Sequence, residues 1–191
     1  MTTEHNTTGL DFPSPMSDNS LETNLDIDSV TIQVEKLSER QRQITAKVHI
    51  PHSVEKVWKI LTDYEALPQF IPNLAKSCLL DHPHGGIRLE QIGSQRLLNF
   101  KFCARVVLDL EEIFPKLISF EMVEGDFKSF SGSWGLEPYS LGVDEGTILC
   151  YTIQVWPKLT MPIGIIETRF SKDLQLNLLA IRQRARDLIN L

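Results

Sequence analysis

A chain of 191 residues with 19 Lys and Arg against 25 Asp and Glu is long enough for one domain with a sizeable core and cramped for two. The formal charge of −6 is local, because Glu4, Asp11, Asp18, Glu22, Asp26 and Asp28 stand in residues 1–30 without a single Lys or Arg. The remaining body is formally neutral, which removes any net electrostatic reason to expect DNA or an anionic surface as the main partner.

Cys78, Cys103 and Cys150 are odd in number and widely spaced, which argues against a disulfide framework or structural zinc and for a reducing, cytoplasmic setting. No apolar run reaches the roughly 18 residues of a membrane span. The start has no basic region followed by an apolar core, so neither a Sec-type signal nor an anchor is expected, and a transit peptide would be rich in Arg rather than in acids.

Residues 1–29 are rich in Thr, Ser, Asn and Asp and show no period of 2 or 3.6. They offer too little apolar surface to offset about 1–2 kcal/mol of backbone entropy per residue, and read as a disordered acidic tail. Folded structure is expected from Val30 to Leu191. Ile32 and Val34 alternate with polar neighbours. After the polar break Leu37-Ser38-Glu39-Arg40, the residues Ile44, Ala46, Val48 and Ile50 alternate again, so this first stretch predicts a strand with one wet face. Pro51 stops it. Ser53 can cap a helix whose Val54, Val57, Trp58 and Leu61 share one side, and Asp63 starts a second short helix, Tyr64 to Ile71, closed by Pro72.

From Leu74 the period is two for some eighty residues. Runs at Ala75–Leu80, Ile87–Ile92, Leu97–Phe114, Leu117–Glu124, Lys128–Pro138 and Thr147–Trp156 are separated by links that each hold a turn residue, Gly93-Ser94 among them. Short links make consecutive strands antiparallel neighbours. The last stretch, Pro162 to Leu191, predicts one long amphipathic helix. Ile163, Ile166, Phe170, Leu174, Leu178, Ile181, Ala185 and Leu188 recur at three or four, and Arg169, Lys172, Asp173, Arg182, Gln183, Arg186 and Asp187 are read onto the other side. Thr160 and Pro162 suit its start.

The expected architecture is therefore α+β: a strand, two short helices, six more antiparallel strands and a long terminal helix. This order resembles the helix-grip superfamily of START, Bet v 1 and polyketide cyclase-like (SRPBCC) domains, in which a curved, seven-stranded antiparallel sheet would wrap around the last helix. The run Ile50-Pro51-His52-Ser53-Val54-Glu55-Lys56-Val57-Trp58-Lys59-Ile60-Leu61-Thr62-Asp63-Tyr64, followed by Phe70-Ile71-Pro72, resembles the coenzyme Q-binding and polyketide cyclase/dehydrase branch. Gly132-Ser133-Trp134, Trp156-Pro157 and Asn177 to Arg182 extend the likeness.

The resemblance implies a cavity between the concave sheet and the last helix. Candidate wall residues are Phe100, Phe102, Phe120, Met122, Phe130, Trp134, Tyr151, Phe170 and Leu174, though the same side chains would serve equally to fill a core. Tyr64 and Phe70 in the stretch Asp63–Pro72, with Met161 in Trp156–Gly164, are expected at its mouth, because both stretches are short and poor in backbone hydrogen bonds.

No catalytic set is expected. The sequence has no G-x-S-x-G elbow, His49, His52, His82 and His84 have no accompanying carboxylates or thiolates to make a metal site, and Gly132-Ser133-Trp134-Gly135 lacks phosphate-loop spacing. Glu90 and Glu121 are read as outward-facing. No metal or cofactor is therefore expected. The expected function is binding or transport of a hydrophobic small molecule, such as a lipid, quinone, isoprenoid or pigment precursor. The resemblance leaves two alternatives: a polyketide cyclase or dehydratase, and a module that contacts the ribosome, another protein or a membrane periphery through the basic last helix.

Overall fold

The computed structural model describes residues 29–97, 100–141 and 144–187, with side chains described for all of these except 95–97, 100–102, 141 and 144. The acidic tail of the sequence reading lies outside the described residues apart from Ser29, as do Leu188 to Leu191.

Eight strands form one antiparallel sheet. In chain order they are β1 (Thr31–Lys36), β2 (Arg42–Ile50), β3 (Leu74–Leu80), β4 (Ile87–Leu97), β5 (Phe100–Ile113), β6 (Leu117–Gly125), β7 (Ser129–Leu141) and β8 (Asp144–Trp156). Helix α1 (Val54–Thr62) follows β2, and α2 (Ile163–Asp187) follows β8. Across the sheet the order is β1-β2-β8-β7-β6-β5-β4-β3. The meander from β3 to β8 thus folds back until β8 pairs with β2.

Three expectations change. The stretch read as one first strand is a hairpin, which raises the count to eight. Its polar break folds because Leu37 N–H donates to the Gln41 carbonyl at 3.1 Å and Gln41 N–H donates to Ser38 Oγ at 3.1 Å. Gly93-Ser94 is not a turn: β4 runs through it, with Gly93 opposite Ala104 and Ser94 opposite Cys103. Ser94 N–H donates to the Asn73 carbonyl at 2.8 Å, so the residue just before β3 prolongs the pairing with β4 and holds Gly93-Ser94 extended. The second short helix shrinks to a single 3-10 turn, Leu67–Gln69. Pro68 and Pro72 lack the N–H groups that a longer helix would need.

The core forms where α2 lies on the concave face. Ile44, Val48 and Ile50 of β2 alternate inward with Leu149, Ile153 and Val155 of β8, all at most 1 % exposed. Against them α2 buries Ile166, Leu174, Leu178, Ile181 and Ala185. At the start of α2, Arg40 donates to the carbonyls of Lys158 and Met161 at 2.9 and 2.8 Å. Arg42 Nε meets Glu167 at 2.6 Å. The β1–β2 hairpin therefore fixes where the helix begins.

Gly132 explains why part of the resemblance motif is glycine. A Cβ there would lie 2.1 Å from the Thr152 carbonyl oxygen and 2.6 Å from the Phe120 ring, so the sheet closes on Gly132 from the neighbouring strand while an aromatic ring packs over it.

Candidate functional site

Helix α2 packs mainly on β2, β1, β8 and α1, at one side of the sheet. The concave faces of β4 to β7 continue past it, and the space left between is a cavity of about 190 Å³. Its sheet wall is built by period-two alternation: Leu89 and Gln91 of β4, Ala104, Val106, Leu108 and Leu110 of β5, Ile118 and Phe120 of β6, Phe130 and Trp134 of β7, and Tyr151 of β8. Leu61 and Tyr64 close one end with Leu67, Ile71, Pro72, Asn73 and Leu74. Helix α2 supplies Ile166, Arg169, Phe170, Asp173, Leu174, Asn177 and Ile181.

Aromatic contacts join the two walls. Phe130 stacks on Phe120, Phe127 and Phe170 with ring centroids 5.7, 5.6 and 5.9 Å apart, so sheet and helix share one aromatic cluster. Trp134 and Tyr151 are cross-strand partners whose rings lie nearly parallel, 3.5 Å between centroids. Aromatic surfaces of this kind present a large apolar area with little side-chain freedom to lose.

Of the residues singled out in the sequence, Tyr64, Phe120, Phe130, Trp134, Tyr151, Phe170 and Leu174 stand on the cavity wall. Phe70, Met122 and Met161 do not; they are half-buried and pack against the core. The Phe70 ring lies under the Arg184 guanidinium, 5.6 Å away, and so is turned to a different part of α2. Met161 belongs to the loop that Arg40 holds. The side chains of Phe100 and Phe102 lie outside the described residues.

Tyr64 reaches the wall with its ring, while its hydroxyl donates to Glu112 at 2.6 Å. Burial, then that bond, pushes its pKa up. Glu121 is exposed, as read. Glu90 faces away from the cavity but is covered by its partners: Lys76 and Arg105 bond it, and they hold its carboxyl down at about 2.

Polar wall residues are what the sequence reading missed. Asp173 and Arg169, assigned there to the outer side of the helix, stand on the cavity wall, together with Asn177 and Asn73. Asp173 Oδ1 accepts a hydrogen bond from Asn73 Nδ2 at 3.1 Å. Burial raises the Asp173 pKa; Arg169, Asn73 and Lys172 pull the other way but do not cancel it. Tyr151 is also raised, by burial first and by the charge of Asp173 second. Asn177 Oδ1 is buried without a partner. The signal was present in the helical period. At 100° per residue, Asp173 and Asn177 point within roughly 20° of Ile166, which marks the edge of the buried stripe that Leu174, Leu178, Ile181 and Ala185 continue.

A curved antiparallel sheet gripping a terminal helix, with a mainly apolar cavity between, defines a helix-grip domain of the START and Bet v 1 kind. The family model for polyketide cyclase/dehydrase and lipid transport proteins matches residues 50–180, and the chain belongs to that family. A STAR-related lipid transfer protein from Xanthomonas axonopodis shares the fold with TM-score 0.60 and 18 % identity, over 81 % of this chain and 98 % of that one. An aromatase/cyclase from a Streptomyces species does so with TM-score 0.63 and 14 % identity, over 78 % and 96 %. Among curated proteins, the ribosome association toxin RatA of Escherichia coli is 26 % identical over 98 residues, 51 % of this chain. The match spans only 60 % of that relative's length.

Proposed function

We propose that the chain binds an apolar or amphipathic small molecule, of the lipid, quinone, isoprenoid or pigment-precursor class, in the cavity between β4–β8 and α2. The observation that carries the reading is the wall itself: two stacked aromatic groups and a ring of aliphatic side chains around unfilled space. Burying apolar ligand surface there supplies affinity at ~25 cal/mol per Å² without directed chemistry. Family membership and the lipid-transfer fold likeness support the same reading.

The volume of about 190 Å³ is below the roughly 300–1,000 Å³ of typical ligand sites. A larger ligand therefore needs the wall to move. The stretch Tyr64–Leu74 is suited to this, since it contributes lining residues and holds only a 3-10 turn between two short loops. The loop before α2 is less suited, being tied by Arg40. Native mass spectrometry on protein purified from its own host should show a bound lipophile. Apo protein alone, with no uptake from a host lipid extract, overturns the reading.

Asp173 supports a second reading, acid-base catalysis on a polyketide-like substrate. It is an ionisable group on the cavity wall whose pKa burial has raised, the state suited to a general acid. Ring closure of an aromatic-polyketide precursor with the protein, abolished in Asp173→Asn, would favour it over simple binding. Closure at the uncatalysed rate rejects it. Ribosome contact rests on the RatA match alone, and co-sedimentation lost in Arg182→Glu/Arg186→Glu is its test.

A further inference from the structure

The cavity has a polar end that an apolar ligand alone leaves unused. Asp173 and Asn177 stand one turn apart on α2, Asn73 reaches Asp173 from the stretch that closes the end, and Tyr151 lines the cavity from β8 within the field of Asp173. Their hydrogen-bonding capacities are unequal. Asn73 already donates to Asp173 Oδ1 at 3.1 Å, whereas Asn177 Oδ1 is a buried acceptor with no donor. The Tyr151 phenol is kept in its protonated form by burial and by Asp173's charge, so it remains a donor.

Resting on the binding reading above, we infer that this end selects a neutral lipophile carrying a hydroxyl, an alcohol or phenol, whose O–H donates to Asn177 Oδ1 and whose oxygen accepts from Tyr151. The alternatives fit less well. An anionic head would face two acceptors, the Asp173 carboxyl and the Asn177 carbonyl, and would have to compete with Asp173 for the field of Arg169. A cationic head would join Arg169 and Lys172, which already oppose Asp173's charge. A hydrocarbon would seal Asn177 Oδ1 from water without giving it a donor, and a buried acceptor is costly to leave unpaired. A water molecule in the free protein can make the same bond, so the selectivity lies in whether the ligand replaces that bond when it displaces the water.

The test compares probes of one shape. Naphthol, fluoronaphthalene and naphthoate are titrated against the intact chain by fluorescence. Naphthol should bind about tenfold tighter than fluoronaphthalene, the worth of one hydrogen bond, and naphthoate should be the weakest. Asn177→Leu should bring naphthol and fluoronaphthalene together, weakening naphthol by the lost acceptor and sparing fluoronaphthalene the cost of an unpaired one. Equal wild-type affinities for these two, or a naphthol preference that survives Asn177→Leu, overturn the inference and leave the cavity reading standing. Failure of all three probes to bind strikes the cavity reading itself. The wild-type comparison decides on its own if Asn177→Leu does not fold.

Discussion

Asp173 shows what a single position in an apolar stripe can do. Its carboxyl lines the cavity at the edge of the buried face, and burial raises its pKa above the ordinary 3.8. A raised folded-state value means that the folded protein holds the proton more tightly than the unfolded chain. The associated stability is present below pH 3.8 and is lost as pH rises through the folded value. Asp173→Asn should therefore raise the midpoint of thermal unfolding at neutral pH, with the difference shrinking toward pH 3. A variant equally or less stable at pH 7 would show that the carboxylate is better satisfied than its surroundings indicate. Gly132 makes the opposite case, a position where nothing may be added. Gly132→Ala must push the new methyl against the Thr152 carbonyl and the Phe120 ring, and should cost about 1–3 kcal/mol in chemical denaturation. The glycine was visible in the sequence as part of a motif. Its reason was not, because it lies in the neighbouring strand.

Elements were legible where the period was long and unbroken. The terminal helix and the strands after Leu117 could be read from alternation, because one face of each meets a continuous core. The edge hairpin could not. Most of β1 is exposed, so its alternation carries little information about what covers it, and only the Leu37–Gln41 turn bonds separate it from β2. That hairpin is nevertheless what positions α2. Arg42 is nearly buried and bonds Glu167 and the carbonyls of Ser38 and Gln41. Arg42→Ala removes charge-assisted bonds worth about 1.5–3 kcal/mol. It should loosen the first turn of α2, read as faster amide exchange at residues 163–168 with β5 and β6 unchanged. Uniform exchange across the sheet and helix would show instead that the hairpin contributes only to global stability.

The cavity belongs to the whole molecule and is the hardest feature to read from a sequence. A side chain that lines a void and one that fills a core have the same residue type and the same period, and they differ only in whether something stands opposite. Here α2 lies toward the β1–β2–β8 side of the sheet, so the aromatic and aliphatic faces of β4–β7 are only partly matched. Polar Asp173 and Asn177 mark where the unmatched space begins. Fold and family were therefore readable from the chain, along with seven wall residues, while the polar end required the packing.

Filling that space separates a binding site from a packing defect. Ala104 stands on the wall at β5, and Ala104→Phe places a ring in the void. Native mass spectra of the wild type and Ala104→Phe, purified side by side from the host, decide whether the ligand sits in this cavity. A lipophile should be retained by the wild type and missing from Ala104→Phe, with thermal stability held or raised because apolar contacts replace empty volume. Equal lipophile retention by a folded Ala104→Phe would contradict this and move the ligand to another surface of the protein.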